Sequence, residues 1–396
     1  MNILIVHESD YLRKVVYEYQ TLAELLSLRG HNVYAIDYES MWERDGGLIS
    51  HYQEMDVARA YPDAKVHLIR YPFLKIPVIS RLSYSFLYYV VIEKVLRDKK
   101  IDVVLLYSVP TNGLQTILTA KKLGIPVIFR SIDVLHQLVA NPVLSLITHQ
   151  LEKWVYKRVD RILTITPALS RYVVDCGALS DRVCVLPLGV DTLVFRPLDE
   201  DIELRHRLGF EDTDKIIVFV GTLPRFSGLD NFIRQFPRMK SDIPELKLLI
   251  VGDGEQRPKL ERLIGELGLG KDVLITGLVP HDEVPRYINL ATVCINPFPV
   301  SDITRDIFPT KVLLYMACGK PVVSSPLDGL MDMGIGEEQG VLYAADKYFH
   351  PLIADSVKNA ADLGRKALAY ATEFHGYDSV VDRLETEIRE LVERHQ

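Results

Sequence analysis

Cysteine is scarce in this chain, and its pattern excludes two architectures. Cys176, Cys184, Cys294 and Cys318 stand far apart and form no CxxC pair. That argues against a disulfide framework and a structural zinc knuckle, and favours a reducing compartment. Long apolar runs are also missing. The uncharged stretch Leu82–Ile92 falls well short of the roughly 20 residues a helix needs to cross a bilayer. The opening "MNILIVHESD" has too few apolar residues before His7, Glu8 and Asp10 for a signal-peptide core and reads as a first strand. A positive balance is lacking as well: the net charge of −7 argues against general nucleic-acid binding. No HExxH motif or clustered His/Cys set is visible, and the Asp212-x-Asp214 pair falls in a predicted linker, so no metal is expected.

What is present is a repeating alternation. Short β-branched runs ("NILIV", "NVYAI", "DVVLLY", "PVIFR", "RILTIT", "VCVLP") are separated by amphipathic stretches, and a second series follows ("IIVFVG", "LKLLIVG", "VLITG", "VCINP", "PVVSS"). Continuous apolar strands between helices indicate parallel sheets covered on both faces. The 396 residues exceed one ordinary core. The reading is α/β: two Rossmann-like domains, 1–197 and 198–375, with parallel sheets facing an interdomain cleft. The boundary is set near Pro197, in a charged segment without strand-like runs. A terminal helix over 376–396 carries Val380, Leu384, Ile388 and Leu391 on one face.

Ligands of open parallel sheets bind beyond the carboxyl ends of the strands. On the amino-terminal side those ends offer His7, Arg130, Ser131 and Asp133; on the carboxy-terminal side they offer Gly221, Thr222, Gly252, Gly254, Gly277 and Leu278. "VGDGEQRPKL" resembles a dinucleotide fingerprint but lacks the third glycine, so Gly252 and Gly254 also fit a plain tight turn. The stretch "RDIFPTKVLLYMACGKPVV" is more informative. Phe308 precedes a helix with Pro309 at its first position, and the next amides, at Thr310, Lys311 and Val312, are expected to be free for an anion, with the Lys311 charge beside them.

"FVGTL", "LLIVGDGEQRPKL", "VLITGLVPHDEVPRYINLATVCINPFP" and "FPTKVLLYMACGKPVV", preceded by "RVDRILTITPALSRYVVDCG" and "VCVLPLGVDTLVFRP", resemble the family 4 glycosyltransferases of the GT-B fold over roughly residues 100–345. The resemblance implies a retaining, metal-independent transfer of a hexosyl or related sugar from a UDP- or GDP-sugar to an acceptor hydroxyl, with no cofactor besides the donor. Glycan or lipid-linked acceptors fit the same likeness, and a cytoplasmic location is expected from the reducing compartment that the cysteines favour. By spacing, Asp306 takes the place of the family's sugar-side acid, and Leu314 the place of the acid that grips the ribose. Thr222 and Ser227 stand where many relatives have a diphosphate-binding Arg and Lys. Arg225 and Lys311 are therefore expected to supply that charge, although Arg225 also fits a surface loop. Backbone around Gly277 and Leu278 is expected to meet the base. Asp133 fits either a cleft residue or a helix N-cap, and His7 either a cleft residue or a loop histidine.

Two further readings concern partners. Between Lys65 and Lys100 eight Lys/Arg face two acids, interleaved with Tyr71, Phe73, Tyr84, Phe86, Tyr88 and Tyr89. This fits docking on anionic lipid at the cytoplasmic face, or a buried helix with solvated flanks. A non-catalytic nucleotide-sugar-binding subunit of the same fold is the alternative function, suggested by Leu314, Thr222 and Ser227. An epimerase or phosphorylase of like architecture lacks the "LPLGVD" and "FPTK" combination, and a nicotinamide dehydrogenase needs a glycine-rich turn that "ILIVHESDYL" does not have.

Overall fold

The structure, a computed structural model, describes the chain except for residues 14–15, 40–47, 77–78, 140, 302–303, 345–348 and 396 and the side chains of 79 and 82. It divides into two compact units, Met1–Pro187 with Val380–Gln396, and Leu188–Ser379. The division thus falls before Pro197, and the terminal segment returns to the first unit instead of standing apart. Its helix, Tyr377–Glu393, buries Val380, Leu384, Ile388 and Leu391 as the spacing predicts. His31 Nε2 meets Glu385 at 2.8 Å, tying that helix to the helix-to-strand turn near the chain start.

The first unit's sheet contains β1 (Asn2–Val6), β2 (Asn32–Ile36), β3 (Gln53–Val57), β4 (Val66–Arg70), β5 (Val103–Leu106), β6 (Val127–Ser131), β7 (Arg161–Thr164) and β8 (Val183–Val185) in the order β3-β4-β2-β1-β5-β6-β7-β8. All pairings are parallel except β3 with β4. β3 reads "QEMDV", too polar to register as a strand run. As an edge strand it keeps its charges in solvent, which blunts edge-to-edge pairing. The core gathers Leu4, Val6, Ile36, Val104, Leu106 and Phe129 under the helices.

The second unit has β9 (Lys215–Val220), β10 (Leu246–Val251), β11 (Val273–Gly277), β12 (Val293–Asn296), β13 (Val322–Ser324) and β14 (Val341–Tyr343), ordered β11-β10-β9-β12-β13-β14. Every pairing is parallel. The order reverses around β9, where strands on either side run outward in opposite directions. This is the switch point at which such sheets leave room for a ligand.

The segment expected to be a linker is part of the second unit. Asp201 caps the helix Ile202–Arg207 by accepting from the Leu204 amide at 2.8 Å. Asp214 accepts from the Glu211 amide at 2.7 Å, and Asp212 pairs with His206 at 2.8 Å. Both members of the Asp-x-Asp pair are thus occupied in local turns.

Candidate donor-binding site

Three of the second unit's strands, β9, β10 and β11, run into glycines, and at Gly252 the neighbouring backbone approaches too closely for a side chain. Gly252, at φ +150°, has Gly221's carbonyl oxygen 1.9 Å from where a Cβ would stand. A Cβ at Gly254 would lie 2.7 Å from the Leu223 amide. The loops after β9 and β10 are laced together, Leu223 N donating to Asp253 O at 3.0 Å and Gln256 N to Leu223 O at 3.1 Å. The "GDGE" glycines therefore serve close packing, the turn reading, and through it they shape the strand ends. Gly277 (φ +81°) bridges to Gly252, and Leu278 beyond it is 79% exposed.

Onto this edge comes the helix Thr310–Ala317. Pro309 sits one position earlier than expected, as the extended N-cap residue, and carries no side-chain acceptor for the first turn. The Val312 amide is not free: it donates to Pro309 O at 2.9 Å. The amides of Thr310 and Lys311 have no acceptor among the described residues and remain available to an anion. Tyr315, one turn on from Lys311 and on the same face, is buried and accepts from the Val220 amide at 2.7 Å. This bond pins the helix to the last residue of β9.

Lys311 is the distinctive group. Its Nζ lies 3.9 Å from the centre of the Phe219 ring and 4.4 Å from that of Phe298. A Cβ on Gly221 (φ +132°) would come within 3.2 Å of it. No carboxylate pairs with it among the described residues. Burial lowers its pKa to about 7, while the two ring faces favour the charged form. The result is an ammonium without a counter-ion, carried by the same helix turn whose first two amides are open. Neither phenylalanine stands out in the linear sequence. Their only signal is that Phe219 precedes the glycine of "FVGTL" and Phe298 ends the run after β12.

The other candidate cation behaves differently. Arg225 is bound to Glu255, Nη2 to carboxylate 2.6 Å, with its side chain 80% exposed; it is the surface loop arginine, already neutralised. Thr222 is exposed and Ser227 buried. Asp306 is exposed and has no partner among the described residues. Leu314 is half-buried on the helix face adjacent to Tyr315. The Phe308 ring is buried against His375, centroids 6.0 Å apart, so its side chain serves the core of this unit.

The first unit fills its strand ends with side chains. Arg130 is 2% exposed, paired through Nε and Nη2 with Glu18 and donating from Nη1 to Leu186 O at 2.6 Å. Adding Pro187 O at 3.3 Å and Leu163 O at 3.4 Å leaves its donors committed, so Arg130, offered at a strand end by the sequence, is a buried clamp within this unit. Ser131 is buried. His7 stacks on Tyr19 at 4.1 Å and accepts from the Ser9 amide at 2.7 Å. Burial lowers its pKa to about 4, so it is neutral at pH 7. Asp133 stays at the surface and does not cap the turn Leu135–Leu138, whose N-cap is Val134; enough protein surrounds its carboxyl to raise its pKa. The basic stretch also thins out. Arg70 is buried between Asp10 and Asp37 at 2.6 Å from each, and Tyr71, Phe73, Tyr84 and Tyr88 are core residues. Phe86, Leu87, Tyr89 and Val90 remain exposed on the helix Ile79–Asp98.

A His cluster not visible in the linear sequence appears here too: His136, His149 and Glu152 converge.

Comparison with known proteins agrees with this layout. Residues 19–193 match the model described as Glycosyltransferase Family 4, and residues 214–360 that described as Glycosyl transferases group 1. The chain is 32% identical over 244 residues to the D-inositol 3-phosphate glycosyltransferase of Acidothermus cellulolyticus, covering 58% of this chain and 52% of that one. It is 29% identical over 160 residues to a GDP-mannose-dependent alpha-(1-6)-phosphatidylinositol monomannoside mannosyltransferase of Mycolicibacterium smegmatis, covering 40% of this chain and 42% of the other. The chain spans about half the length of the curated relatives it matches. Among solved structures, Anabaena HepE in complex with UDP superposes with a TM-score of 0.74 at 15% identity, over 98% of this chain and 100% of that one.

Proposed function

The chain belongs to the family 4 glycosyltransferases of the GT-B fold, and from that premise we propose that it transfers a hexosyl or related sugar from a UDP- or GDP-sugar to an acceptor hydroxyl, with retention and without a metal at the diphosphate. The observation that carries this reading is Lys311, held without a counter-ion between Phe219 and Phe298 beside the open amides of Thr310 and Lys311. As the sugar–phosphate bond breaks, negative charge grows on the leaving diphosphate. Donors fixed in advance at that position stabilise the transition state without having to reorganise. Asp306 faces the transferred sugar, and Asp133 serves the acceptor side. Relatives whose names specify D-inositol 3-phosphate or a phosphatidylinositol mannoside support polar or lipid-linked acceptors. For a lipid-linked acceptor, the exposed Phe86 and Val90, with Lys94 and Lys100 exposed on and just after the same helix, form the surface that would rest on an anionic membrane at the cytoplasmic face.

The binding-subunit reading keeps one specific support, the leucine where the family's ribose acid is expected. Incubating the purified chain with a panel of UDP- and GDP-sugars and following donor hydrolysis or transfer separates the two. Turnover of at least one donor, lost in a folded Lys311→Met variant, is expected. Nucleotide binding without any turnover across the panel and a range of acceptors would establish the subunit reading instead.

A further inference from the structure

We propose that the first unit binds one divalent transition-metal ion of the zinc type through His136, His149 and Glu152. Two of these are set by one helix, Pro142–Tyr156, where His149 and Glu152 stand three residues apart and share a face. The helix starts sharply, with Pro142 in its first turn and the Asn141 side chain accepting from the amides of Val143 and Leu144. This lets the preceding turn, Leu135–Leu138, fold back over it. Ser145 Oγ donates to His136 O at 2.7 Å, and the Leu135 amide donates to Glu152 Oε1 at 2.9 Å. Glu152 Oε1 also accepts from the Tyr156 hydroxyl at 3.2 Å. Both bonds fix the carboxylate's orientation, as the partners around metal ligands usually do, and they leave Oε2 as the oxygen facing the histidines.

Three ligand atoms lie within 4.8 Å of one another, and the Tyr172 hydroxyl stands at a fourth corner. His149 Nδ1 is 3.6 Å from Glu152 Oε2. Tyr172 Oη is 3.2 Å from His136 Nδ1, 3.4 Å from His149 Nδ1 and 3.4 Å from Glu152 Oε2. In a tetrahedral shell with metal–ligand bonds of about 2.0–2.2 Å, neighbouring ligand atoms are roughly 3.4 Å apart. The one short edge, His136 Nδ1 to Glu152 Oε2 at 2.7 Å, is a hydrogen bond that opens by several tenths of an ångström when an ion replaces its proton. Two imidazoles and a carboxylate select zinc-like ions over magnesium or calcium.

Charge supplies an independent reason. The Glu152 side chain is 0% exposed, and the only basic groups the described residues bring to it are these two histidines. The buried carboxylate keeps hydrogen bonds from the Leu135 amide and the Tyr156 hydroxyl, but no lysine or arginine among the described residues pairs with it, and a divalent ion would supply that positive charge. The histidine side chains are 20% and 24% exposed, so an ion can enter from solvent. None of the residues assigned to the donor takes part. The ion's task is to clamp the turn after β6, next to Asp133, onto the helices beneath it.

The test uses the full chain, stripped with a chelator, dialysed, and titrated with ZnCl2 by calorimetry, with bound metal counted by elemental analysis. One ion per chain is expected, with a rise in thermal midpoint and, with cobalt(II), the absorption of a four-coordinate site. His149→Ala, at a partly exposed position, should weaken binding by about a hundredfold or more, as should His136→Ala. His51→Ala, an exposed histidine elsewhere, should leave it unchanged. Sub-stoichiometric uptake, or affinity untouched by both His136→Ala and His149→Ala in chains with native circular dichroism, overturns the proposal and leaves the cluster a hydrogen-bond network.

Discussion

The two units finish the same kind of sheet in opposite ways. In the second unit, β9, β10 and β11 run into Gly221, Gly252 and Gly277, all at positive φ, and the nearby cation, Lys311, has no carboxylate among the described residues. In the first unit, Arg130, one residue before the end of β6, is locked to Glu18, and the Asp10–Arg70–Asp37 group closes the ends of β1, β2 and β4. Bare backbone and an unmatched charge await an anion; satisfied ion pairs hold a fold together. The same architecture therefore keeps a ligand site in one unit and spends its charges on stability in the other.

The contrast can be broken most forcefully at Arg130. Glu18→Ala leaves a buried guanidinium unpaired and should cost about 3–5 kcal/mol of stability, read as a lower denaturant midpoint, with UDP affinity unchanged under conditions where the variant is folded. Comparable loss of UDP affinity would mean the first unit's pair belongs to the ligand site after all. Next comes Lys311→Met, which should weaken UDP by the worth of a charge-assisted contact, about 1.5–3 kcal/mol or ten- to a hundredfold, and uridine hardly at all. Equal losses for both in calorimetry would remove Lys311 from the phosphate.

The same lysine gives a pH signature. Its pKa in the free protein is about 7, and a bound diphosphate raises it, so the protonated form binds better. Affinity for UDP-glucose, whose diphosphate does not titrate in this range, should be flat below that value. Above it, affinity falls by up to about tenfold per pH unit, and Lys311→Arg should abolish the slope. A smaller gain is expected from Leu314→Glu, which restores a ribose acceptor and should tighten UDP by about tenfold; no change would place the ribose elsewhere. Smallest is Arg225→Ala. Already paired with Glu255 at the surface, Arg225 should alter UDP affinity by less than about threefold.

Eleven strands of the two sheets were legible as apolar runs, since parallel strands buried on both faces need no alternation. β3 and β4 escaped because polar and charged residues interrupt them, and β14 escaped as well. The helix start at residues 309–310 was readable to within one position, although the Val312 amide folds back onto Pro309. Harder to see was the metal cluster. His149 and Glu152 share a helical spacing, but His136 reaches them only through the turn folded over that helix.

The sequence by itself determined where strands end, where glycines leave the backbone open and where one helix presents its amides, because these follow from local sterics and periodicity. Only the tertiary structure decided which charges are spent. Arg130 found Glu18 across 112 residues, Arg225 found Glu255, and Lys311 was left between two rings. Electrostatic pairing depends on distance in space and on burial, and neither is encoded in the spacing of residues along the chain.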